Sequence, residues 1–547
     1  MDGRIIIENR RIETKEKMTI KNPATLEPIG EACLASSEDC QKAIQAAKKA
    51  FFSWRELPLE KKKKIFRDAK KILLRRSSEA AKLITMEKGS PLLESLTIEV
   101  LTSLEMLDYY TRNLEKLSKP KKVVSHVPLF SHKNNLFVFQ PLGLSLIISP
   151  WNFPFMIPFC DILASLSAAN TIVFRPSTST PFVAYLIGEI FIEAGLPSGV
   201  LNIINCKVSQ AEEMITDPSI QTIVFTGSVP TGRRIMELAS HNLTHIVLEL
   251  GGKDPMIVLR DADLERASQG AVWAAFMNCG QSCASVERVY VAREIEGEFI
   301  ERVLALTKGL KVGNPLQAGI DMGPMANNKQ LEVVEGHVQD AGEKGAEILF
   351  GGKRIEGLPG YFFQPTVLSR VNHTMKVMRE ETFGPVLPVM SFADPEEAVA
   401  LANDCSYGLT ASVWTKDKKL ASRLAQKLEA GSITVNDHMF SFTEPRAIWG
   451  GIKNTGFGRS HGPLGFLELV NAKFESFDFL RKKRQLWWFP YDRAKSQVLE
   501  KSLVLLHHHQ VREKFKAGLS LLMKWPMLRE GIPIQNFLKI GQRFFKS

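Results

Sequence analysis

The spacing of apolar positions changes character twice along the chain. Ser37 is suited to an N-cap, acids follow at Glu38 and Asp39, and Cys40, Ala43, Ile44, Ala47 and Phe51 recur at helical spacing. This predicts an amphipathic helix reaching Arg55. The same texture continues through 59–75, 78–88 and 91–117 and stops at the basic, proline-containing SKPKK, so the front of the chain reads as helical. Residues 123–140 read as extended or hairpin-like. From Gly143, short β-rich runs take over: LSLIIS, then 171–174, 201–204, 222–225 and 245–250, separated by helical patterns near 155–168, 181–194, 208–215 and 231–239. Such alternation predicts a parallel sheet with crossover helices. A second alternating block runs from Pro255 to about Val435, with strands at 255–258, 286–291, 385–391, 410–414 and 432–435 and helices that include 262–275, 295–309 and 394–403. It can fold around a core of its own.

Length and composition narrow the picture. At 547 residues and 44% apolar content the chain can fill several cores, so two or more domains are expected. Its seven cysteines are odd in number, scattered and free of CxxC pairs, which points to a reducing, cytoplasmic compartment. The charged first residues lack the apolar core of a secretory signal. Residues 136–174 are apolar, but Asn152, Asp161, Asn170 and four prolines argue for a buried strand, loop and helix instead of a membrane span. The formal net charge of +11 resides wholly in residues 481–547, where 15 Lys and Arg face 4 Asp and Glu. The body therefore needs no polyanionic partner.

The chemistry centres on FMNCGQSCAS, where Cys283 sits among glycine and small polar residues and has the setting of a nucleophilic thiol. Asn152 in SPWNFP follows a strand and carries an amide suited to an oxyanion. Glu249 in LELGGK ends a strand just before two glycines, and FTGSVPTG leads from a strand into a helix start suited to phosphate. EETFGP places Glu381 and Phe383 in a turn. Each of these has an ordinary structural reading when taken alone: a turn asparagine, a paired carboxylate, a tight glycine turn, a buried cysteine.

Their order is more specific. SPWNFP, FRPS, FTGS, LELGGK, NCGQSC, EETFGP and GGIKNTGFGR together resemble the NAD(P)-dependent aldehyde dehydrogenase superfamily over roughly residues 20–480. The resemblance implies an α/β fold: a Rossmann-type cofactor domain (1–122 and 142–252), a second α/β catalytic domain (253–460) and a small oligomerisation sheet (123–141 and 461–480). It also implies Cys283 as nucleophile, Asn152 in the oxyanion hole and Glu249 as general base, with Trp151, Arg175, Ser177, Thr178, Gly227, Ser228, Glu381 and Phe383 around NAD or NADP and no metal. A homodimer or homotetramer is expected.

Departures from the family pattern refine this. Arg175 and Thr178 stand where many members carry lysine and glutamate, which removes an obstacle to the 2′-phosphate of NADP without excluding NAD. Ser460 replaces an acid, and Ala169 and Cys206 replace glycines. GFGRSHG at 456–462 reads as a tight turn. The positions resembling the substrate tunnel are Phe153, Met156, Ile157, Met277, Ser282, Ala284 and Trp449, which favour an apolar aliphatic or aromatic aldehyde. Arg446 keeps a semialdehyde open as the alternative. An acylating enzyme using coenzyme A and a catalytically silent membrane-surface scaffold are the other rivals. Residues 481–547 read as a basic amphipathic extension suited to the anionic inner membrane surface, with nucleic acid not expected.

Overall fold

The computed structural model describes residues 1–127, 130–479, 485 and 487–523. The chain divides into two units, Met1–Leu117 with Pro141–Val470, and Ser118–Gln140 with Asn471–Ser547.

The larger unit holds, among the described residues, two large sheets and a two-stranded antiparallel one, Glu16–Lys21 with Pro28–Leu34. Across the first, the strands run Gly456–Phe457, His245–Glu249, Ile220–Thr226, Leu144–Ile148, Thr171–Arg175, Leu201–Ile203, Ile5–Ile7 and Arg10–Ile12. The five from His245–Glu249 to Leu201–Ile203 pair in parallel, as the sequence pattern predicts, and both edges are antiparallel. Register pairs Glu249 with Thr226, Phe225 with Ile148, and Ile148 with Arg175, so the residues following these strands all emerge along one C-terminal edge. In open α/β sheets that edge is where ligands bind.

The second sheet runs Glu347–Phe350, Thr366–Ser369, Val386–Phe392, Val286–Ala292, Asp254–Val258, Thr410–Trp414 and Ser432–Val435. It is parallel except for its Glu347–Phe350 edge. Asp254 pairs with Val286, and Val386 lies on the next strand. Cys283 and Glu381–Gly384 therefore precede strands at this sheet's N-terminal edge. Each of the two large sheets has its own buried apolar cluster.

Several elements differ from the sequence reading. The first helix spans Ser37–Arg55, but its N-cap is Ser36, in a capping box with Asp39. The N-terminal strands escape a periodicity reading because a three-residue apolar run, Ile5–Ile7, sits among charges, although all three side chains are buried. GFGRSHG is no simple turn: Gly456–Phe457 pair with Leu248 and Glu249 on the first sheet, across the boundary drawn at 253–460. Ala169 holds φ 62, a left-handed conformation that glycine adopts freely and alanine adopts at a cost of about 1–2 kcal/mol.

The predicted helix over 91–117 is interrupted. Leu92–Glu94 leads into a π-helical turn, Ser95–Val100, before Leu101–Ser118. The wider turn carries Glu99, which is fully buried and ion-paired to the equally buried Lys88 at 2.9 Å. Glu99 Oε2 also accepts the backbone N–H groups of Phe155 (2.8 Å) and Met156 (3.2 Å), where the helix Met156–Ser167 begins. Glu87 does the same for Phe182 and Val183 at the start of Pro181–Glu193. Two buried carboxylates thus satisfy orphan donors at two helix N-termini.

In the smaller unit, Val470–Phe477, Asn134–Pro141 and Lys121–Val123 form a three-stranded sheet in that order. Within the expected oligomerisation segment 461–480, Gly462–Glu468 is helical and Val470–Phe477 is a strand. Two helices follow, Arg493–His507 and Val511–Met523, packed on each other with Val498, Ser502, Ala517 and Leu521 buried. The basic run 481–484 and the tail candidates Lys524, Ile534, Phe537, Leu538 and Gly541 lie outside the described residues. Among the described residues, no helix is long and apolar enough to cross a membrane.

Breaking the Lys88–Glu99 pair leaves a buried cation unpaired. Glu99→Ala is expected to cost about 3–5 kcal/mol in urea unfolding, and Lys88→Met in the same chain to restore much of the loss. A cost for the single variant within experimental error contradicts this.

Candidate active site

The segment around Cys283 is built on an unusual backbone. Asn278, Cys279 and Gly280 have φ of 52°, 55° and 71°, three left-handed residues in succession. At Gly280 the geometry demands glycine, since a Cβ would fall 2.2 Å from the Gly384 carbonyl oxygen. Two non-glycine residues in this region cost roughly 1–3 kcal/mol each and persist only where surroundings fix them. Here Asn278 donates its N–H to Glu94 Oε2 (3.0 Å) and its Nδ2 to the carbonyls of Asn152 (3.0 Å) and Gln281 (3.0 Å). Gln281 donates back to the Asn278 carbonyl, and its Oε1 accepts the N–H of Ala326. Asn152 joins the clamp by donating Nδ2 to the Gln281 carbonyl at 3.1 Å. The sequence reading passed over Asn278; an asparagine two residues before a glycine in a chemistry-bearing loop was the available signal.

The clamp separates the two cysteines. Cys279 is buried against Met325, with its sulfur 3.5 Å from Sδ, whereas Cys283 is half-buried. Cys283 lines two cavities of about 210 Å³ each. One is polar, walled by Trp151, Asn152, Gly227, Ser228, Glu381 and Phe383. The other is apolar and takes in all seven predicted tunnel positions, Phe153, Met156, Ile157, Met277, Ser282, Ala284 and Trp449, to which the structure adds Trp273 and Phe442. Arg446 is exposed and lines neither. A larger hollow of about 530 Å³ beside Met1, Lys82 and Tyr185 holds none of these side chains.

Glu249 ends its strand at the edge of the first sheet. Ser460 Oγ donates to its Oε1 at 3.2 Å, while Oε2 is buried with no hydrogen-bond partner. Burial raises its pKa to about 8; the neighbouring charge of Asp161 adds to this, and the Ser460 hydrogen bond opposes it. Burial likewise pushes the Cys283 thiol well up, with further upward contributions from Glu381, Asp254 and Glu249. Burial therefore disfavours the charged form of both groups, and the thiol requires a partner to take its proton before it can attack.

At the polar cavity, Glu381 Oε1 accepts the N–H of Gly252 at 2.9 Å, and a Cβ at Gly251 would fall 2.5 Å from Oε2. Burial raises the Glu381 pKa to about 8. Phe383, at φ 50°, packs edge-on to Trp151 with ring centroids 5.5 Å apart. This turn is anchored by Glu287, which accepts the N–H groups of Thr382 and Phe383 (2.8 Å each) and pairs with buried Lys253 at 2.5 Å. Neither Lys253 nor Glu287 was singled out from sequence. Ser228 is the N-cap of Val229–Ser240 without a side-chain capping bond, which leaves a helix N-terminus facing the cavity. Gly227, Ser228, Glu381 and Phe383 thus offer a helix end, a carboxylate and an aromatic wall, a donor set that fits a dinucleotide.

Arg175, Ser177 and Thr178 do not line this cavity. They follow the adjacent parallel strand on the same sheet edge, where Arg175 Nη2 donates to the Cys206 carbonyl at 3.0 Å and Nε is buried without a partner.

The aldehyde dehydrogenase family profile matches residues 11–474. Among curated proteins, the mitochondrial succinate-semialdehyde dehydrogenase of Rattus norvegicus is 35% identical over 86% of this chain and 90% of its own length. The 4,4'-diapolycopene aldehyde oxidase of a Methylomonas species is 36% identical over 83% of this chain and 84% of its own. Among solved structures, an NADP-dependent enzyme of E. coli superposes with a TM-score of 0.84 at 32% identity, covering 87% of this chain and 98% of that one. Betaine aldehyde dehydrogenase from Staphylococcus aureus in complex with NAD+ gives 0.84 at 31%, covering 89% and 96%. With the two sheets meeting at a clamped cysteine and this breadth of likeness, the chain belongs to the aldehyde dehydrogenase family.

Proposed function

We propose that the protein oxidises an apolar aldehyde to its carboxylic acid with NAD or NADP, through a thioester on Cys283. The observation that carries this reading is the position of Cys283, on the shared wall of one polar and one apolar cavity. The aldehyde lies in the apolar cavity. The polar cavity, through Gly227, Ser228, Glu381 and Phe383, holds the dinucleotide, which supplies the hydride acceptor when bound. The Arg175 guanidinium on the same sheet edge favours the 2′-phosphate of NADP.

The ionised form of Glu249 takes the Cys283 thiol proton, and the sulfur attacks the carbonyl carbon. Asn152 Nδ2 and the Cys283 backbone N–H hold the oxyanion that forms. When the C–H pair leaves as hydride, the carbon remains bound to sulfur as a thioester. Glu249 releases that proton to solvent and then draws one from water; the hydroxide attacks, the C–S bond breaks, the departing thiolate takes the proton back from Glu249, and the acid leaves. The sum is aldehyde, water and oxidised cofactor giving acid, reduced cofactor and a proton. The unpartnered Glu249 Oε2 supports hydrolysis over transfer to coenzyme A, because it leaves an acceptor for water. Exposure of Arg446 supports an apolar substrate over a semialdehyde.

Cys283→Ala is expected to abolish cofactor reduction across a panel of aliphatic and aromatic aldehydes, and Cys279→Ala to retain it. Turnover by the Cys283 variant refutes the thioester route. Turnover of small semialdehydes alone refutes the substrate class.

We also propose that residues 481–547 contact an anionic membrane surface. Val511, Phe515, Leu519 and Leu522 form an exposed stripe on Val511–Met523, flanked by exposed Arg512 and Lys516, and Trp488, Phe489 and Tyr491 are exposed nearby in sequence. A second copy offers a neutral body and the same positive tail, so charge favours lipid. Each cation near such a surface contributes about 1 kcal/mol. The full chain is expected to sediment with phosphatidylserine vesicles, to release in high salt and to bind weakly to phosphatidylcholine alone. Equal sedimentation of residues 1–480 contradicts the proposal.

A further inference from the structure

The apolar surface does not end with the cavity at Cys283. A second hollow of about 310 Å³ shares Trp273 and Met277 with it. Trp273, on the helix Leu264–Phe276, is 46% exposed, so the indole forms a partition at the surface. Beyond it, Leu93, Leu306, Leu310 and Ile320 supply the walls. Leu93 is 71% exposed, and Phe440, which lines the inner cavity, is exposed as well. Large apolar side chains gathered at the mouth of an apolar cavity mark a binding surface more often than an idle one.

The charges point the same way. Among the described residues, no lysine or arginine lines either cavity. The outer hollow instead has two acids, Glu94, which accepts the Asn278 N–H, and Asp321, which accepts the Lys311 N–H. A distal carboxylate would meet apolar walls and like charge with no cation to pair it.

We propose that the outer hollow is a distal subsite for the tail of a long unbranched aldehyde whose far end is neutral or cationic. The carbonyl carbon lies at Cys283, the chain passes Met277 and turns over Trp273, and the remaining methylenes lie against Leu93, Leu306 and Leu310. This rests on the reading that Cys283 attacks an apolar aldehyde and adds to it the direction and length of the chain. The subsite makes Trp273 and Leu93 determinants of chain length, through apolar contact alone.

The test measures kcat/KM for hexanal, decanal and tetradecanal, and for tetradecanal bearing a terminal carboxylate, with the full-length enzyme and saturating cofactor. From hexanal to tetradecanal the value is expected to rise by about threefold to fourfold per methylene while burial lasts. The terminal carboxylate should lose most of that gain. Leu93→Asp, at an exposed position that tolerates a charge, is expected to lower the tetradecanal-to-hexanal ratio by roughly tenfold or more, the equivalent of two buried methylenes. Leu310→Gln provides an independent second variant in the same wall. A ratio near one in the parent enzyme, or a ratio unchanged in both variants, overturns the subsite while hexanal oxidation leaves the reaction itself standing. Failure to oxidise any of the four aldehydes overturns the reaction.

Discussion

The site depends on a chain that turns left-handed for three residues inside a protein core. Asn278, Cys279 and Gly280 are strained in isolation and held in place by hydrogen bonds to a helix, to the loop that follows a strand of the first sheet and to their own loop: Glu94 grips the Asn278 N–H, and the Asn278 amide grips the carbonyls of Asn152 and Gln281. The strain has a geometric consequence. It reverses the chain direction within a few residues, so that Cys279 turns inward toward Met325 while Cys283 reaches the boundary of two cavities. The same clamp ties Asn152, from the first sheet, to the loop that precedes a strand of the second.

Around this turn the two sheets contribute by opposite ends. The first delivers Asn152, Gly227 and Glu249 from its C-terminal edge, and the second delivers Cys283 and Glu381 from its N-terminal edge. Because a strand edge fixes position better than a free loop, side chains far apart in sequence hold a common geometry. Burial then sets the electrostatics. Glu249, Glu381 and Asp254 all have pKa values raised to about 8, and the Cys283 thiol is raised by burial and by their charges. Burial disfavours the charged form of each of these acids and of the thiol, so a thiolate forms only when a base takes its proton.

Much of this was legible in the sequence, for identifiable reasons. The buried parallel strands are continuous apolar runs bounded by polar loops, and Cys283, Glu249 and Glu381 lie beside glycines that announce close approach. The seven predicted positions that line the apolar cavity were readable because they flank or lie within the sequence motifs. What escaped was carried by long-range contact. Lys88 and Glu99 look like surface charges on an amphipathic helix, and only a π-helical turn, invisible to a period of 3.6, brings them together inside the core. Lys253 and Glu287 are 34 residues apart and meet through sheet register. Ile5–Ile7 is too short a run to show a period. The outer hollow at Trp273 needs three distant segments to close it.

The most direct test of the central claim is the decay of the covalent state. After a single turnover with decanal and cofactor, quenched samples digested and weighed by mass spectrometry should carry the acyl group on the peptide containing Cys283, at that residue and not at Cys279. Glu249 must be ionised to accept a proton from water, and its pKa is raised to about 8. The rate of acyl loss should therefore rise with pH through about 8 and then level, and in Glu249→Gln it should be slow and flat. An acyl group absent from Cys283, or loss from it that is indifferent to both pH and Glu249, would contradict the account.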